Sequence, residues 1–410
     1  MIRFLNNLLT KIKIIRIAKI LRINPQFFFD VVLFHFSKLF RAKVDDNLII
    51  FGSANGKAFI GNPKYIYYYL KQNSDYKLVW FSKSKSLIRE LKLNGINCVH
   101  NFSLEAIRLL RKARAVFVSH GWGDILPVKF SPRTVVVQTW HGADIKIIGK
   151  HPYVTKYINS KWSTLARLKI RYYQFFDYVL NPSGEEKPLN ISEDVFKFPK
   201  ERILSFGYPR NDILFLKDPN IVNNLKKFYE IPDNIKRIIL YAPTYREKFS
   251  TQEPFNDKDL IEINQMCNET DTIFLMKPHL SEATIILNNF KNIMTVRKDA
   301  DIQELLLLTD ILITDYSSVY CDYLLLNRPV LLYTYDYNEY VGSRGIFYDH
   351  LEDIAPGPLL YSSKELINAI KNIDEIKKKY KDKYIKLRNY FNKYLDGKST
   401  ERLLRFLKLI

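Results

Sequence analysis

The run Val135-Val136-Val137-Gln138-Thr139-Trp140-His141-Gly142 reads as a strand buried on both faces, because three consecutive β-branched apolar residues leave no polar side for water. It empties into a polar turn with a glycine, the form expected at the carboxyl end of a strand in an open parallel sheet. Working outward, Leu48 to Phe51, Lys77 to Phe81, Ala115 to Ser119 and Thr134 to Thr139 all read as buried strands. Between them Asn62 to Leu70 and Leu104 to Arg114 carry helical periodicity. This alternation predicts a doubly wound α/β domain over residues 46–185.

A second series of apolar runs predicts a second α/β domain over 186–385: Arg202 to Phe206, Arg237 to Ala242, Thr272 to Met276, Ile311 to Thr314 and Val330 to Tyr335. From Ser363 onward the chain is Lys-rich, with Leu366, Ile370, Tyr384, Leu387, Tyr390, Phe391 and Leu395 at helix-like spacing. Residues 386–410 read as a closing helix. At 410 residues the chain exceeds one ordinary core, and its 47% hydrophobic and 14% aromatic content excludes wholesale disorder.

The net charge of +20 directs the chain toward anions: anionic lipid, nucleic acid or phosphate-rich substrates. Nucleic acid is set aside, because no helix-turn-helix, finger or RNP-like signature is present and the charge is heaviest at the two ends. Cys98, Cys267 and Cys321 form no CxxC pair, so neither a zinc site nor a disulfide framework is expected and a reducing cytoplasm fits.

Residues 1–29 contain no acid, and Lys13, Arg16, Lys19 and Arg22 recur at every third position with apolar pairs between them. Asp30 and Lys38 interrupt the apolar run from Phe27 to Phe40, which falls short of the roughly 20 apolar residues that span a bilayer. No small-residue cleavage site follows. Residues 1–45 are therefore expected to form a basic, apolar helical segment lying on an anionic membrane surface, which makes this a peripheral membrane protein of the cytoplasmic face. The alternative is a basic helix packed on the protein itself.

Ligands of open α/β sheets sit beyond the carboxyl ends of the strands. The strand ending at Thr139 delivers His141, and an imidazole is the side chain suited to general-base work near neutrality; Gly142 lets a substrate approach the backbone, and Asp144 and Lys146 follow. Thr272 to Met276 ends in Lys277-Pro278-His279. Ile311 to Thr314 leads to Asp315-Tyr316-Ser317-Ser318 and an apolar helical run, whose N-terminal N–H groups and serine hydroxyls can bind phosphate. Asp315 or Ser317 capping that helix is compatible with the same role. Arg210 and Arg246 follow strands in Gly207-Tyr208-Pro209-Arg210-Asn211-Asp212 and Ala242-Pro243-Thr244-Tyr245-Arg246. Each can bind phosphate bidentately or pair with a carboxylate to brace a domain. Gly52-Ser53-Ala54-Asn55-Gly56-Lys57 has the wrong spacing for a P-loop, and His120 reads as a structural histidine.

Gln138 to Gly142, Gly207 to Asp212, Ala242 to Arg246, Lys277 to His279 and Thr309 to Ser318, taken together and in this order, resemble the CDP-glycerol glycerophosphotransferase family of teichoic acid and capsule synthesis. The resemblance extends through Asp322, Arg328-Pro329 and the Tyr333 to Tyr340 segment, and back to Gly61-Asn62-Pro63-Lys64-Tyr65. It implies a GT-B-type pair of Rossmann-like domains around a central cleft, with the CDP-polyol donor held mainly by the second domain and the lipid-linked polymer acceptor approached by the first. No metal or other cofactor is implied. His141 would be the base that deprotonates the acceptor hydroxyl, and His279 would stabilise the phosphate under attack. Arg210, Arg246, Lys277, Thr314, Asp315, Ser317, Ser318 and Asp322 would form the donor and phosphate site. Trp140, Gly142, Asp144 and Asn62 would lie on the acceptor side. Ala143 departs from the hydroxyl residue common after the glycine. The implied reaction leaves glycerol phosphate on the polymer and releases CMP; ribitol phosphate transfer and a nucleotide-sugar glycosyltransferase of the same architecture are the alternatives.

Overall fold

The computed structural model describes residues 25–40, 43–146, 175–196, 198–244, 246, 253–278, 290–343 and 345–410. They fall into two compact units: one runs to His141 and resumes up to Val179, and the other opens at Gly142 and takes the chain from Leu180 to Ile410. The basic repeat Lys13 to Arg22 and His279 lie outside the described residues.

The first unit is built on the parallel strands β1 (Leu48–Gly52), β2 (Lys77–Ser82), β3 (Cys98–His100), β4 (Ala115–Val118), β5 (Val135–Gln138) and β6 (Tyr178–Leu180), in the order β3-β2-β1-β4-β5-β6. That is the strand order of a doubly wound dinucleotide-binding fold. β1 is buried along its whole length because it is paired on both edges, Ile49 with Leu78 and with Ala115. On it Phe51 stacks against Phe117 and Trp80, all three fully buried. The helices α1 (Pro25–Ser37), α2 (Gly61–Asn73), α3 (Lys85–Leu93) and α4 (Leu104–Lys112) belong to this unit. Ser84 and Ser103 cap α3 and α4 by accepting from the N–H groups of Leu87 and Ala106.

α1 covers part of the apolar run read from the sequence. Its Asp30, Leu33 and Ser37 are buried, Ser37 Oγ accepts from the Lys129 N–H at 2.9 Å, and Arg111 donates to the Phe40 carbonyl just beyond it. This apolar part of the N-terminal segment therefore packs on the protein, while the basic repeat that the two sequence readings concern lies outside the described residues.

The second unit contains β7 (Ile203–Leu204) and a six-stranded parallel sheet of β8 (Arg237–Tyr241), β9 (Thr272–Met276), β10 (Ile293–Thr295), β11 (Ile311–Thr314), β12 (Val330–Tyr333) and β13 (Leu359–Leu360). The order β10-β9-β8-β11-β12-β13 repeats the doubly wound pattern. Helices α5 (Glu186–Phe196), α6 (Asp257–Glu269), α7 (Ile302–Leu308), α8 (Val319–Tyr323), α9 (Lys381–Phe391) and α10 (Ser399–Phe406) accompany it. α7 is apolar nearly all round and correspondingly buried from Leu305 to Leu308. The C-terminal helices close this unit: Asn392 donates to the Cys321 carbonyl at 2.9 Å, and Asp212 accepts from the N–H groups of Ser399 and Thr400. Gly207 turns the chain into that contact at φ +84°, and a Cβ there would meet Ser399 Oγ at 2.4 Å.

Candidate active site

In each sheet the strand order reverses beside its first strand, at β1/β4 and at β8/β11, and the loops leaving those strands are where a doubly wound sheet binds ligands. In the first unit the loops after β1 and β4 meet there. Ser119 N–H and His120 N–H donate to Asp124 Oδ2 at 2.7 and 2.6 Å, and Asn55 N–H donates to Oδ1 at 2.7 Å. Asp124 is fully buried. Burial pushes its carboxyl up to about 6, against the pull of the His120, Ser119 and Asn55 N–H groups, so it is mostly ionised at neutral pH. The sequence reading missed Asp124; its available signal was an Asp closing the turn Gly121-Trp122-Gly123 after a strand.

His141 follows β5 and is exposed. Its Nδ1 lies 3.1 Å from the Ser119 carbonyl oxygen. A carbonyl can only accept, so Nδ1 carries the proton and Nε2 is the basic nitrogen. The residue before it, Trp140, has φ +56°, a conformation that costs a bulky side chain energy and persists only where the surroundings enforce it. Asn62, fully buried on α2, supplies that enforcement by donating from Nδ2 to the carbonyls of Thr139 at 2.7 Å and Trp140 at 3.1 Å. The Trp140 ring lies 4.2 Å from the His141 ring.

In the second unit Gly142 sits between two motifs distant in sequence. Tyr208 OH donates to its carbonyl at 2.9 Å, and a Cβ on Gly142 would meet Ser318 Oγ at 2.3 Å, so only glycine allows Ser318 this close. Asp144 is buried and accepts from Ser192 Oγ at 2.5 Å. Ser317 and Ser318 are half-buried at the start of α8, with Ser317 Oγ accepting from Val319 N–H at 3.4 Å.

Both arginines face carboxylates. Arg210 Nη2 lies 2.6 Å from Asp322 Oδ2, with both side chains buried. Asn211 donates to Asp322 Oδ1, and Gln303 donates to Asp322 Oδ2 and Asn211 Oδ1. Arg246 bridges Asp315 at 2.8 Å and Asp336 at 2.6 Å, beneath the rings of Tyr316, Tyr335 and Tyr340. Burial opposes its charge, yet the two carboxylates outweigh burial and raise its pKa. Asp315 also accepts from the Thr244 N–H through both oxygens, so of the two cap candidates read from the sequence it is Ser317 that meets the helix N–H of Val319. Thr314 is fully buried and donates to the Ala242 carbonyl at 2.7 Å. Lys277 Nζ donates to the Lys298 carbonyl at 2.9 Å. The structure thus gathers Asn62, Trp140 and His141 in one unit. In the other it joins Gly142 to Ser318, Arg210 to Asp322 and Arg246 to Asp315.

A family model described as CDP-Glycerol:Poly(glycerophosphate) glycerophosphotransferase matches residues 33–409. A teichoic acid glycerol-phosphate transferase of Staphylococcus aureus is 32% identical over 372 residues, covering 89% of this chain and 94% of that protein. A teichoic acid poly(glycerol phosphate) polymerase of Bacillus spizizenii is 34% identical over 344 residues, covering 80% and 83% respectively. Among solved structures, the wall teichoic acid polymerase TagF superposes with a TM-score of 0.74 at 26% identity over 89% of each chain.

Proposed function

The chain belongs to the CDP-glycerol:poly(glycerophosphate) glycerophosphotransferase family, and from that premise we propose that it moves glycerol phosphate from CDP-glycerol to a hydroxyl of a lipid-linked or polymeric cell-surface acceptor, releasing CMP, in teichoic acid synthesis. The observation that carries the chemistry is His141, whose Nδ1–H is tied to the Ser119 carbonyl and whose Nε2 can therefore take a proton. In the reaction the acceptor oxygen attacks the β-phosphorus of the donor as its proton passes to Nε2. The bond from that phosphorus to the bridging oxygen breaks, and CMP departs with the electron pair. Such a transfer gains most from positioning and charge neutralisation.

The donor is assigned to the second unit and the acceptor to the first, as in a GT-B-type enzyme. Lys277, His279, Ser317 and Ser318 are assigned to the phosphates. Arg246 keeps its charge on a scaffold of two aspartates, from which it can turn toward a phosphate. Arg210, Asp322 and Thr314 are assigned instead to bracing the loops that carry these groups, since all three are buried and bonded internally. The basic repeat Lys13 to Arg22 is assigned to anionic lipid at the cytoplasmic face. Among the described residues no helix is long and apolar enough to cross a membrane.

The test is a donor panel with purified protein and a lipid-linked acceptor: CDP-glycerol, CDP-ribitol and a UDP-sugar, followed by nucleotide release. CMP from CDP-glycerol is the expected result; CMP from CDP-ribitol alone would reassign the polyol, and UDP from the sugar would sink the proposal. In the same assay Asn62→Ala is expected to lower CMP release by about tenfold to a hundredfold, because a misplaced base is costly. It would leave two carbonyls without their donor, destabilising the first unit by about 1–3 kcal/mol. Thermal unfolding checks the second effect.

A further inference from the structure

His120, read from the sequence as structural, lies face to face with His141: the ring centroids are 4.1 Å apart and the planes 7° from parallel. The adjacency follows from β4 pairing with β5 at Val118 and Gln138, which brings the residues two and three places further on together. Ser119 holds both rings. Its hydroxyl is 2.8 Å from His120 Nδ1 and its carbonyl accepts from His141 Nδ1–H. The hydroxyl is fixed in turn by Ser53 Oγ at 2.9 Å and the Ala54 N–H at 3.3 Å.

We propose that His120 is a positioning residue for His141: it fixes the plane of the base and takes the pair's first proton, so that His141 stays neutral and able to accept the acceptor's proton. The inference rests on His141 being the base of the proposed transfer. Two parallel imidazoles this close repel when both are charged, so they titrate as a coupled pair. The carboxylate of Asp124, 4.0 Å from His120 Nδ1, selects His120 for the first proton. From neighbouring elements, Lys83 after β2 feels the same carboxylate, together with Asp30 of α1 and Lys57 after β1; the two lysines offset part of the charge of Asp124 and Asp30 adds to it. The face of His141 toward Trp140 is aromatic and uncharged.

The experiment follows the His141 ring by NMR across pH in the full chain, alongside the pH dependence of CMP release from CDP-glycerol, for the wild type, His120→Phe and His120→Ala. In His120→Phe the stacking platform remains but the second titrating ring is gone. The His141 midpoint is expected to rise by about one pH unit, the scale of a coupled pair. CMP release at pH 8 should stay within about threefold of wild type and fall about tenfold further at pH 6, because His141 is then protonated. His120→Ala also loses the platform and should be about tenfold slower at pH 8, a loss that Phe restores. An unchanged His141 midpoint in His120→Phe, or wild-type turnover at pH 8 in His120→Ala, would overturn the assignment. Should the wild type fail to turn over CDP-glycerol, the functional reading falls, while the ring titration still decides what His120 does to its neighbour.

Discussion

Replacing His141 by alanine is expected to slow CMP release from CDP-glycerol by about 10²–10⁴-fold, the usual contribution of a positioned general base. Donor affinity should change little, because the donor is assigned to the second unit and His141 closes the first. Single-turnover rates and equilibrium binding of CDP-glycerol, measured on the same variant, separate the two effects. A variant that binds donor normally yet retains most of its rate would place the base elsewhere, and the orientation imposed by Ser119 would then be only a structural hydrogen bond.

The second large effect is on stability. Asp322 lies against Arg210 with both side chains buried, and it also receives Asn211 and Gln303. Truncating it to alanine leaves a guanidinium charge inside the second unit without its counter-ion, which costs about 3–5 kcal/mol. That is a large share of the roughly 5–15 kcal/mol that holds a typical domain folded. Denaturant unfolding of Asp322→Ala should show a correspondingly early transition for the second unit, with Asp322→Asn intermediate, because an amide keeps an oxygen for Asn211. Unchanged stability with lost donor affinity would instead return Arg210 and Asp322 to the phosphate site that the sequence reading gave them.

The sequence was most readable where one apolar run makes one strand. Ile311 to Thr314 and Thr272 to Met276 are β11 and β9 residue for residue, since central parallel strands are buried on both faces and need no alternation. Several short strands escaped, three of them at sheet edges. β3 is only Cys98–His100, β10 Ile293–Thr295 and β13 Leu359–Leu360, too short for any periodicity to show. The site divided along the same line. His141 and Gly142 were legible because a strand end announces them locally. The partners of the arginines were not, because Asp322 and Asp336 stand far along the chain from Arg210 and Arg246. Only the folded sheet brings each pair to 2.6 Å. The contact of His120 with His141 was hidden for a related reason: it depends on a ring one strand away, and nothing within its own Ser119-His120-Gly121 context discloses that neighbour.

The most direct test of the central claim follows the phosphorus itself. CDP-glycerol labelled with radioactive phosphorus at the β position would be incubated with the full chain and a lipid-linked acceptor, and the label located after separation of nucleotide from polymer. The proposed transfer puts the label on the polymer together with glycerol and leaves the released CMP unlabelled. Label in a released nucleoside diphosphate, with unphosphorylated glycerol on the acceptor, would mean that the bond to carbon is broken instead, and would contradict the account.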